Sequence, residues 1–208
     1  MINKYTWLFA IISVAILFLL FSNRTKFATE KGSLQQNVST LNDSLRFKNG
    51  TIQYLQQMLD FNYKIGAPFL REVELVEYTG NGDKQVSKLI KSAKKKFVVR
   101  YSTTGCNKCI DLLFKNKKRL QLITQKFNLI VFVDFKTFAD YDQWERVSGI
   151  NKEVYLVSKK TFPFDSIFEH NSYCFIIDEG LNANSFFIPR NEFKEELDNY
   201  IASQIRIQ

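Results

Sequence analysis

Two cysteines lie three positions apart in the stretch "YSTTGCNKCIDLL", residues 101–113. They are Cys106 and Cys109, and Asn107 and Lys108 stand between them. Cysteines at this spacing can form a redox couple, supply half of a metal site, or lie as two inert residues in a core. The segments before and after the pair favour the first of these interpretations.

The pair follows a predicted strand and opens a predicted helix. The segment "KFVVRYS", residues 96–102, is rich in β-branched and aromatic residues, and a short polar turn separates it from Cys106. The first turn of a helix carries backbone N–H groups without partners and a partial positive charge. Both would stabilise a thiolate at Cys106, lower its pKa and make it nucleophilic near neutral pH. Lys108 adds a positive charge nearby.

Cys109 lies one helical turn after Cys106, within reach of a disulfide bond. It can therefore resolve a mixed disulfide that Cys106 forms with a substrate. Because the helix start stabilises the thiolate, it favours the reduced form and makes the couple more oxidising. The residues thus predict a thiol–disulfide oxidoreductase in which Cys106 attacks and Cys109 resolves.

The segments around the pair alternate between strand and helix patterns, which predicts an α/β fold with a mixed sheet. The run "NLIVFVDF", residues 128–135, is continuously apolar, as in strands buried on both faces. The other predicted strands are residues 71–78, 96–102, 172–178 and 185–189. The predicted helices are residues 85–93, 106–123, 138–149 and 192–205.

In this setting "KFVVRYSTTGCNKC" resembles the strand, turn and active-site segment of thioredoxin-fold proteins, especially membrane-anchored bacterial TlpA/ResA-like thioredoxins. "SYCFIIDEG" resembles a later strand and turn of the same family. The resemblance covers about residues 65–208. It implies a thioredoxin-like three-layer sandwich with a mixed central sheet, and protein or peptide thiols or disulfides as substrates. We expect no cofactor.

Three positions depart from the family pattern. Gly105 stands where the family usually has tryptophan, Arg100 replaces an acidic or amide residue, and Ser172 occupies the position of a cis-proline. We expect a trans bond at Ser172, because a cis bond before another residue type costs about 3–4 kcal/mol. These departures leave the dithiol intact but indicate altered substrate binding. Gly105, Lys108, His170 and Ser172 are therefore the candidate substrate-binding or modulating residues.

Four further groups have two interpretations each. His170, the chain's only histidine, could accept a proton or join the cysteines and Cys174 in a copper or zinc site. One histidine without a second C-x-x-C is weak evidence, so we expect no metal. Cys174 falls in mid-strand and is predicted to be a buried, inert thiol. Asp134 could be a relay acid, and Arg100 could favour the thiolate, but we predict that both reach the surface.

The chain begins with a segment that predicts a transmembrane anchor, residues 1–23. Residues 5–22, "YTWLFAIISVAILFLLFS", include no charged residue, and a span needs about 20 mostly apolar residues. A cleaved signal peptide is the alternative, but no small-residue cleavage pattern follows. The flanking positive charges do not direct the carboxyl end outward. An extracytoplasmic (periplasmic) domain is therefore expected only because of the redox chemistry.

Residues 24–64 predict a helical stalk ahead of a domain over residues 65–208. Four apolar residues recur every seven positions, and three more each lie four positions before one of them. This is the pattern of a coiled coil. The seam could join two copies into a parallel homodimer, or the helix could pack on the domain or on the membrane surface. The seam residues are Leu34, Val38, Leu41, Leu45, Ile52, Leu55 and Leu59.

The formal net charge is +8, and much of it lies in two runs, residues 94–96 and 115–119. A positive net charge permits binding of anionic partners, including nucleic acid. No nucleic-acid-binding motif accompanies the runs, so we expect no nucleic acid partner. We interpret the runs as a charged loop and a solvated helix face. The functional alternative to an oxidoreductase is a non-enzymatic, membrane-tethered binding or assembly module with the same fold.

Overall fold

Helix α1, Lys4–Ile65, is the first and longest element of the chain. The structure is a computed structural model that describes residues 4–70, 73–78, 83–148, 153–157, 161–168 and 171–206. The chain divides into two compact units, Met1–Gln53 and Tyr54–Gln208, so α1 contributes to both.

The first unit consists of the amino-terminal part of α1. From Ile11 onward the helix is long and apolar enough to cross a membrane, as judged by length and composition. The predicted stalk is also helical, and its predicted seam residues within this unit are solvent-exposed. They are Leu34, Val38, Leu41, Leu45 and Ile52.

The second unit is built on a seven-stranded sheet with the order β2-β1-β5-β4-β3-β6-β7. Strands β3, β4 and β5 are parallel, whereas β1, β2, β6 and β7 join by antiparallel pairing, so the sheet is mixed. In chain order the strands are Glu74–Tyr78, Lys84–Lys88, Lys96–Tyr101, Asn128–Val133, Glu153–Leu156, Tyr173–Ile177 and Ala183–Phe187.

Helices cover both faces of this sheet. Helices α3 and α6 lie side by side, held by the ion pair Arg119–Asp198, and α5 packs on the opposite face. This arrangement confirms the predicted thioredoxin-like three-layer sandwich. After α1 the helices are α2 Asn107–Phe114, α3 Lys117–Lys126, α4 Phe138–Ser148, α5 Asp165–Phe168 and α6 Lys194–Arg206.

Aromatic side chains fill the space on each face of the sheet. On the α3/α6 face, the ring of Phe97 lies 6.0 Å from Phe127 and 6.1 Å from Tyr200. On the α5 face, Phe164 lies 5.3 Å from Phe175 and 4.7 Å from Phe186. Buried rings in such contacts contribute strongly to core stability, so ring packing on both faces of the sheet stabilises β3 and β6.

Three parts of the predicted element order were wrong. Residues 85–93 were expected to form a helix, but Lys84–Lys88 is strand β2, because its backbone pairs with β1 along the register Glu74↔Lys88 to Tyr78↔Lys84. Strand β5 and the short helix α5 were not predicted. The expected helix after Cys106 is interrupted, because the side chain of Asn116 accepts a hydrogen bond from the backbone N–H of Arg119 and begins α3 afresh.

The last turns of α1 belong to the core of the second unit. Tyr54 and Met58 are buried, and the Tyr54 hydroxyl donates to the carbonyl of Ile188. The Asn62 side chain donates to the Phe186 carbonyl at 2.8 Å and accepts from the Phe186 N–H at 2.7 Å. The compact unit therefore starts well before residue 65, the domain start proposed from the sequence.

The first lysine run has structural contacts as well as charge. The Lys94 ammonium donates to the carbonyl of Thr124 at 3.1 Å. Lys96 is buried, and its ammonium donates to the Ser92 hydroxyl at 2.8 Å. Burial lowers the pKa of Lys96. Lys94 and Lys96 therefore hold the loop before β3 in place through hydrogen bonds. The interpretation of this run as a solvated charged loop is thus incomplete.

Candidate functional site: the Cys106–Cys109 pair

Cys106 and Cys109 are joined as a disulfide, with their Cα atoms 5.4 Å apart. Cys106 is the N-cap residue of α2 and is exposed, whereas Cys109 lies in the first turn with only 6% of its surface exposed. One sulfur can thus be approached from solvent, and the other lies behind it. The strand, turn and helix pattern predicts both cysteines at the start of the helix and within bonding reach, but it does not predict the difference in their exposure.

A tight polar turn connects the end of β3 to the cysteine pair. The N–H of Gly105 donates to the Ser102 carbonyl at 3.0 Å, which closes the turn. The N–H of Cys109 donates to the Cys106 carbonyl at 3.1 Å, which closes the first turn of α2. Gly105 is partly exposed directly before Cys106, and Lys108 is exposed directly before Cys109.

Ser172 fixes the turn from the neighbouring strand. It is buried just before β6, and its hydroxyl oxygen accepts a hydrogen bond from the backbone N–H of Ser102 at 2.9 Å. All peptide bonds among the described residues are trans, which confirms the expectation at Ser172. The structure thus brings Ser172 to the turn. His170 lies outside the described residues.

Arg100 forms a buried charge cluster beneath the same turn. Its side chain is 3% exposed and lies 3.5 Å from a carboxylate oxygen of Asp134 and 3.5 Å from one of Asp165. It also donates to the Tyr101 carbonyl at 2.6 Å. The predictions that Arg100 and Asp134 reach the surface were wrong, because both lie inside the three-layer sandwich, where each has a partner of opposite charge.

Hydrogen bonds connect this cluster to the turn at one end and to α5 at the other. Asp134 accepts from the N–H of Thr103 at 2.7 Å. Asp165 accepts from the N–H of Phe162 at 2.9 Å and from the hydroxyl of Tyr173 at 2.7 Å. Burial raises the pKa of Asp165, and these hydrogen bonds and Arg100 oppose that rise. The cluster positions the segment that leads to Cys106.

Sequence reasoning missed Asp165 altogether. It lies 65 positions after Arg100, in a segment without a recognisable motif, so no local signal pointed to the contact. The only available hint was the charged residue at position 100, directly after the apolar run 97–99 of β3. A charge in that setting requires a buried partner of opposite sign.

Cys174 is a buried thiol within β6, as predicted. None of its surface is exposed, and burial raises the pKa of its thiol. Thiol chemistry needs both a thiolate and access for the reagent, and Cys174 lacks both.

We therefore expect alkylation of the reduced protein to separate the cysteines. Iodoacetamide should modify Cys106 in the native protein, and Cys174 should react at least about a hundredfold more slowly until the protein unfolds. Peptide mass mapping over a time course measures both rates. Comparable rates at the two positions under native conditions would contradict the buried placement of Cys174.

No protein-family model matches this chain, and no curated protein matches it. Among solved structures, a Chlorobium tepidum protein provisionally assigned as the thiol:disulfide interchange protein DsbE is 15% identical with a TM-score of 0.49, covering 66% of this chain and 96% of that one. A thiol:disulfide interchange protein from Bacteroides sp. is 10% identical with a TM-score of 0.42, covering 65% and 91%. Thioredoxin peroxidase I from Plasmodium yoelii is 12% identical with a TM-score of 0.46, covering 67% and 90%. Sequence identities and TM-scores this low do not indicate an activity. The function therefore has to follow from the chain's own residues.

Proposed function

We propose that this protein is a membrane-anchored thiol–disulfide oxidoreductase that acts on protein or peptide substrates outside the cytosol. The observation that carries the proposal is the disulfide between Cys106 and Cys109, with Cys106 exposed at the start of α2 and Cys109 buried behind it. A structural disulfide would not need an exposed sulfur at a helix start, whereas exchange with a second molecule does.

The exchange follows from this geometry. In the reduced protein, the Cys106 thiolate attacks a substrate disulfide, a bond forms between the two sulfurs, and the other substrate sulfur leaves as a thiolate that takes up a proton. The Cys109 thiolate then attacks the Cys106 sulfur and releases the second substrate thiolate. The substrate gains two electrons and the pair becomes a disulfide. The reverse sequence oxidises a substrate dithiol.

The start of α2 supports the role of Cys106 as the attacking residue. Its first turn contains no acidic residue and includes Lys108. The nearest carboxylate on the helix, Asp111, is paired with Lys115 at 2.7 Å. The positive end of the helix therefore acts on the Cys106 sulfur without a competing negative charge in that turn.

The membrane location rests on the amino-terminal part of α1. We propose that residues 1–23 form a single-pass anchor, and that residues 24–64 form a helical stalk whose last turns, from Tyr54, pack into the catalytic domain that continues over residues 65–208. Disulfides persist in oxidising compartments, which supports an extracytoplasmic (periplasmic) domain. A reporter fused to the carboxyl end tests this orientation, and a cytosolic signal would contradict it.

The Cys109→Ser variant tests the activity directly. Without the resolving thiol, the reduced variant should remain bonded to a disulfide-containing peptide through Cys106, because nothing releases the mixed disulfide. Non-reducing mass spectrometry of the full chain in detergent detects the adduct and locates the bond.

Two matched variants serve as controls. Cys106→Ser should trap nothing, since Cys109 is buried, and adding Cys174→Ser to Cys109→Ser should leave the trapping unchanged. No adduct in the Cys109→Ser variant, together with no turnover of a model disulfide by the unchanged protein, would refute the proposed activity.

An assembly module is the second candidate, and the exposed seam of α1 favours it. Apolar residues at heptad positions are solvent-exposed along the stalk, as a parallel homodimer requires before it forms. Titration of the thiols in redox buffers separates the candidates. A pair that does not cycle reversibly would favour the module, and reversible cycling would favour the enzyme.

A further inference from the structure

A pocket of about 580 Å³ lies beside the turn that precedes Cys106. One wall is formed by Thr103 and Thr104 of the turn, and the rest comes from residues 134–147, which follow β4 and include most of α4. Thr104 is two residues before the exposed Cys106, and two residues span at most about 7 Å. A molecule bonded to the Cys106 sulfur therefore lies next to this pocket.

The carboxylates of the pocket are occupied by contacts within the protein. Asp134 accepts from the Thr103 N–H at 2.7 Å with one oxygen, and its other oxygen lies 3.5 Å from Arg100. Asp140 accepts from the Thr137 hydroxyl at 2.6 Å, and that hydroxyl oxygen accepts from the Asp140 N–H at 3.2 Å, a reciprocal cap at the start of α4. Asp134 is thus committed to contacts within the protein, and Asp140 uses one carboxylate oxygen in the cap of α4.

The remaining lining consists of the polar side chains of Lys136 and Gln143, which are exposed, and of an apolar part that favours a ring. The rings of Phe135 and Trp144 lie 5.5 Å apart, both are partly exposed, and Tyr101 packs against both of them at 6.0 and 5.3 Å. Val147 stands exposed at the rim. Aromatic rings attract a further ring in tilted or stacked contact, beyond what area burial alone gives.

We propose that this pocket binds an aromatic side chain of the polypeptide substrate, a few residues from the cysteine that reacts with Cys106. That the bound polypeptide is a substrate rests on the proposed function. The volume lies within the usual range of about 300–1,000 Å³ for ligand sites, and it accommodates a ring with part of its backbone. The exposed Thr104 hydroxyl at the edge can hydrogen-bond that backbone.

Binding can be measured by the emission of Trp144, since the chain has two tryptophans and a Trp7→Phe background leaves only this one. The probe is a short unstructured peptide with serine in place of the reacting cysteine and phenylalanine a few positions away. It should change the emission of the full chain in detergent and bind about tenfold or more tightly than the same peptide with glycine in place of phenylalanine. Equal binding of the two peptides, or no binding, would overturn the proposal.

A double variant locates the binding. Gln143→Glu with Val147→Glu places two charges at the rim and should weaken binding of the phenylalanine peptide about tenfold. Gln121→Glu with Leu122→Glu makes the same kind of change at exposed positions of α3, away from the pocket, and should leave binding unchanged. Equal affinity of both double variants would place the binding elsewhere and overturn the proposal.

The peptide contains no cysteine, so this result is independent of exchange chemistry. Selective binding together with a failed Cys109→Ser trap would contradict the proposed function and leave the aromatic site standing. A successful trap without aromatic selectivity would support the proposed function and refute the pocket.

Discussion

Replacing Arg100 with leucine is expected to destabilise the protein by about 3–5 kcal/mol at neutral pH, because it leaves two carboxylates buried without their cation. Arg100 lies 3.5 Å from both Asp134 and Asp165, and all three side chains are almost completely buried. Leucine supplies neither the positive charge nor the hydrogen bond to the Tyr101 carbonyl, and because it is smaller than arginine it adds a packing loss. Urea unfolding of the full chain in detergent, followed by circular dichroism, measures the difference in free energy of unfolding.

The loss should depend on pH in a direction that identifies its cause. Burial raises the pKa of Asp165 in the folded protein, and Arg100 is one of the groups that oppose this rise. Without Arg100 the folded-state pKa rises further above the unfolded value of about 3.9. Protonation of Asp165 stabilises the folded protein fully below the pKa of the unfolded state, and this stabilisation is lost as the pH rises through the pKa of the folded state. The deficit should therefore be largest at neutral pH and smaller near pH 4.

An exposed ion pair on α2 provides the control. Lys115 lies 2.7 Å from Asp111, but its side chain is 72% exposed, so Lys115→Leu should change stability little. If Arg100→Leu behaved like this control, or if its deficit did not vary between pH 4 and 7, the buried cluster would not be the stabilising element described above.

The cluster also shows which parts of the site a sequence can reveal. The position of Cys106 at a helix start could be predicted, because the strand, turn and helix signals are adjacent in the chain. The contacts of Arg100 could not, because Asp134 and Asp165 are distant in sequence and reach it only through the order of the strands. Strand β2 was missed for the same reason. Its own residues have a helix-like pattern, and it forms a strand because it pairs with β1.

Strands β3 and β4 were predictable for the opposite reason. Each contains a run of apolar or β-branched residues, 97–99 in β3 and 129–133 in β4, and each is paired on both sides, so local propensity and tertiary environment agree. In α1, by contrast, one continuous helix has an exposed heptad seam in the first unit and buried core residues in the second. The heptad seam was evident from its spacing, whereas the contacts of Tyr54 and Met58 depend on strand β7 and the residues after it, more than 120 positions away.

Truncating the core face of the last turns of α1 is expected to destabilise the second unit severely. Tyr54 is 2% and Met58 5% exposed, and the Tyr54 ring stacks on Phe193 at 4.8 Å and meets Phe187 edge-on at 5.9 Å. Replacing either residue with alanine should cost about 2–5 kcal/mol through lost burial and the cavity left behind. Since the two side chains are neighbours, the effects need not add, and each single variant is measured by urea unfolding.

The matched control lies on the other face of the same turns. Leu55→Ala and Leu59→Ala remove similar apolar groups, but Leu59 is 69% exposed and Leu55 lies in the predicted seam. These variants should leave the unfolding of the second unit almost unchanged and, if the stalk joins two copies, weaken self-association measured by sedimentation. If the domain began at residue 65, as the sequence suggests, all four variants would leave its stability unchanged. A loss confined to Tyr54 and Met58 would place its beginning within the helix.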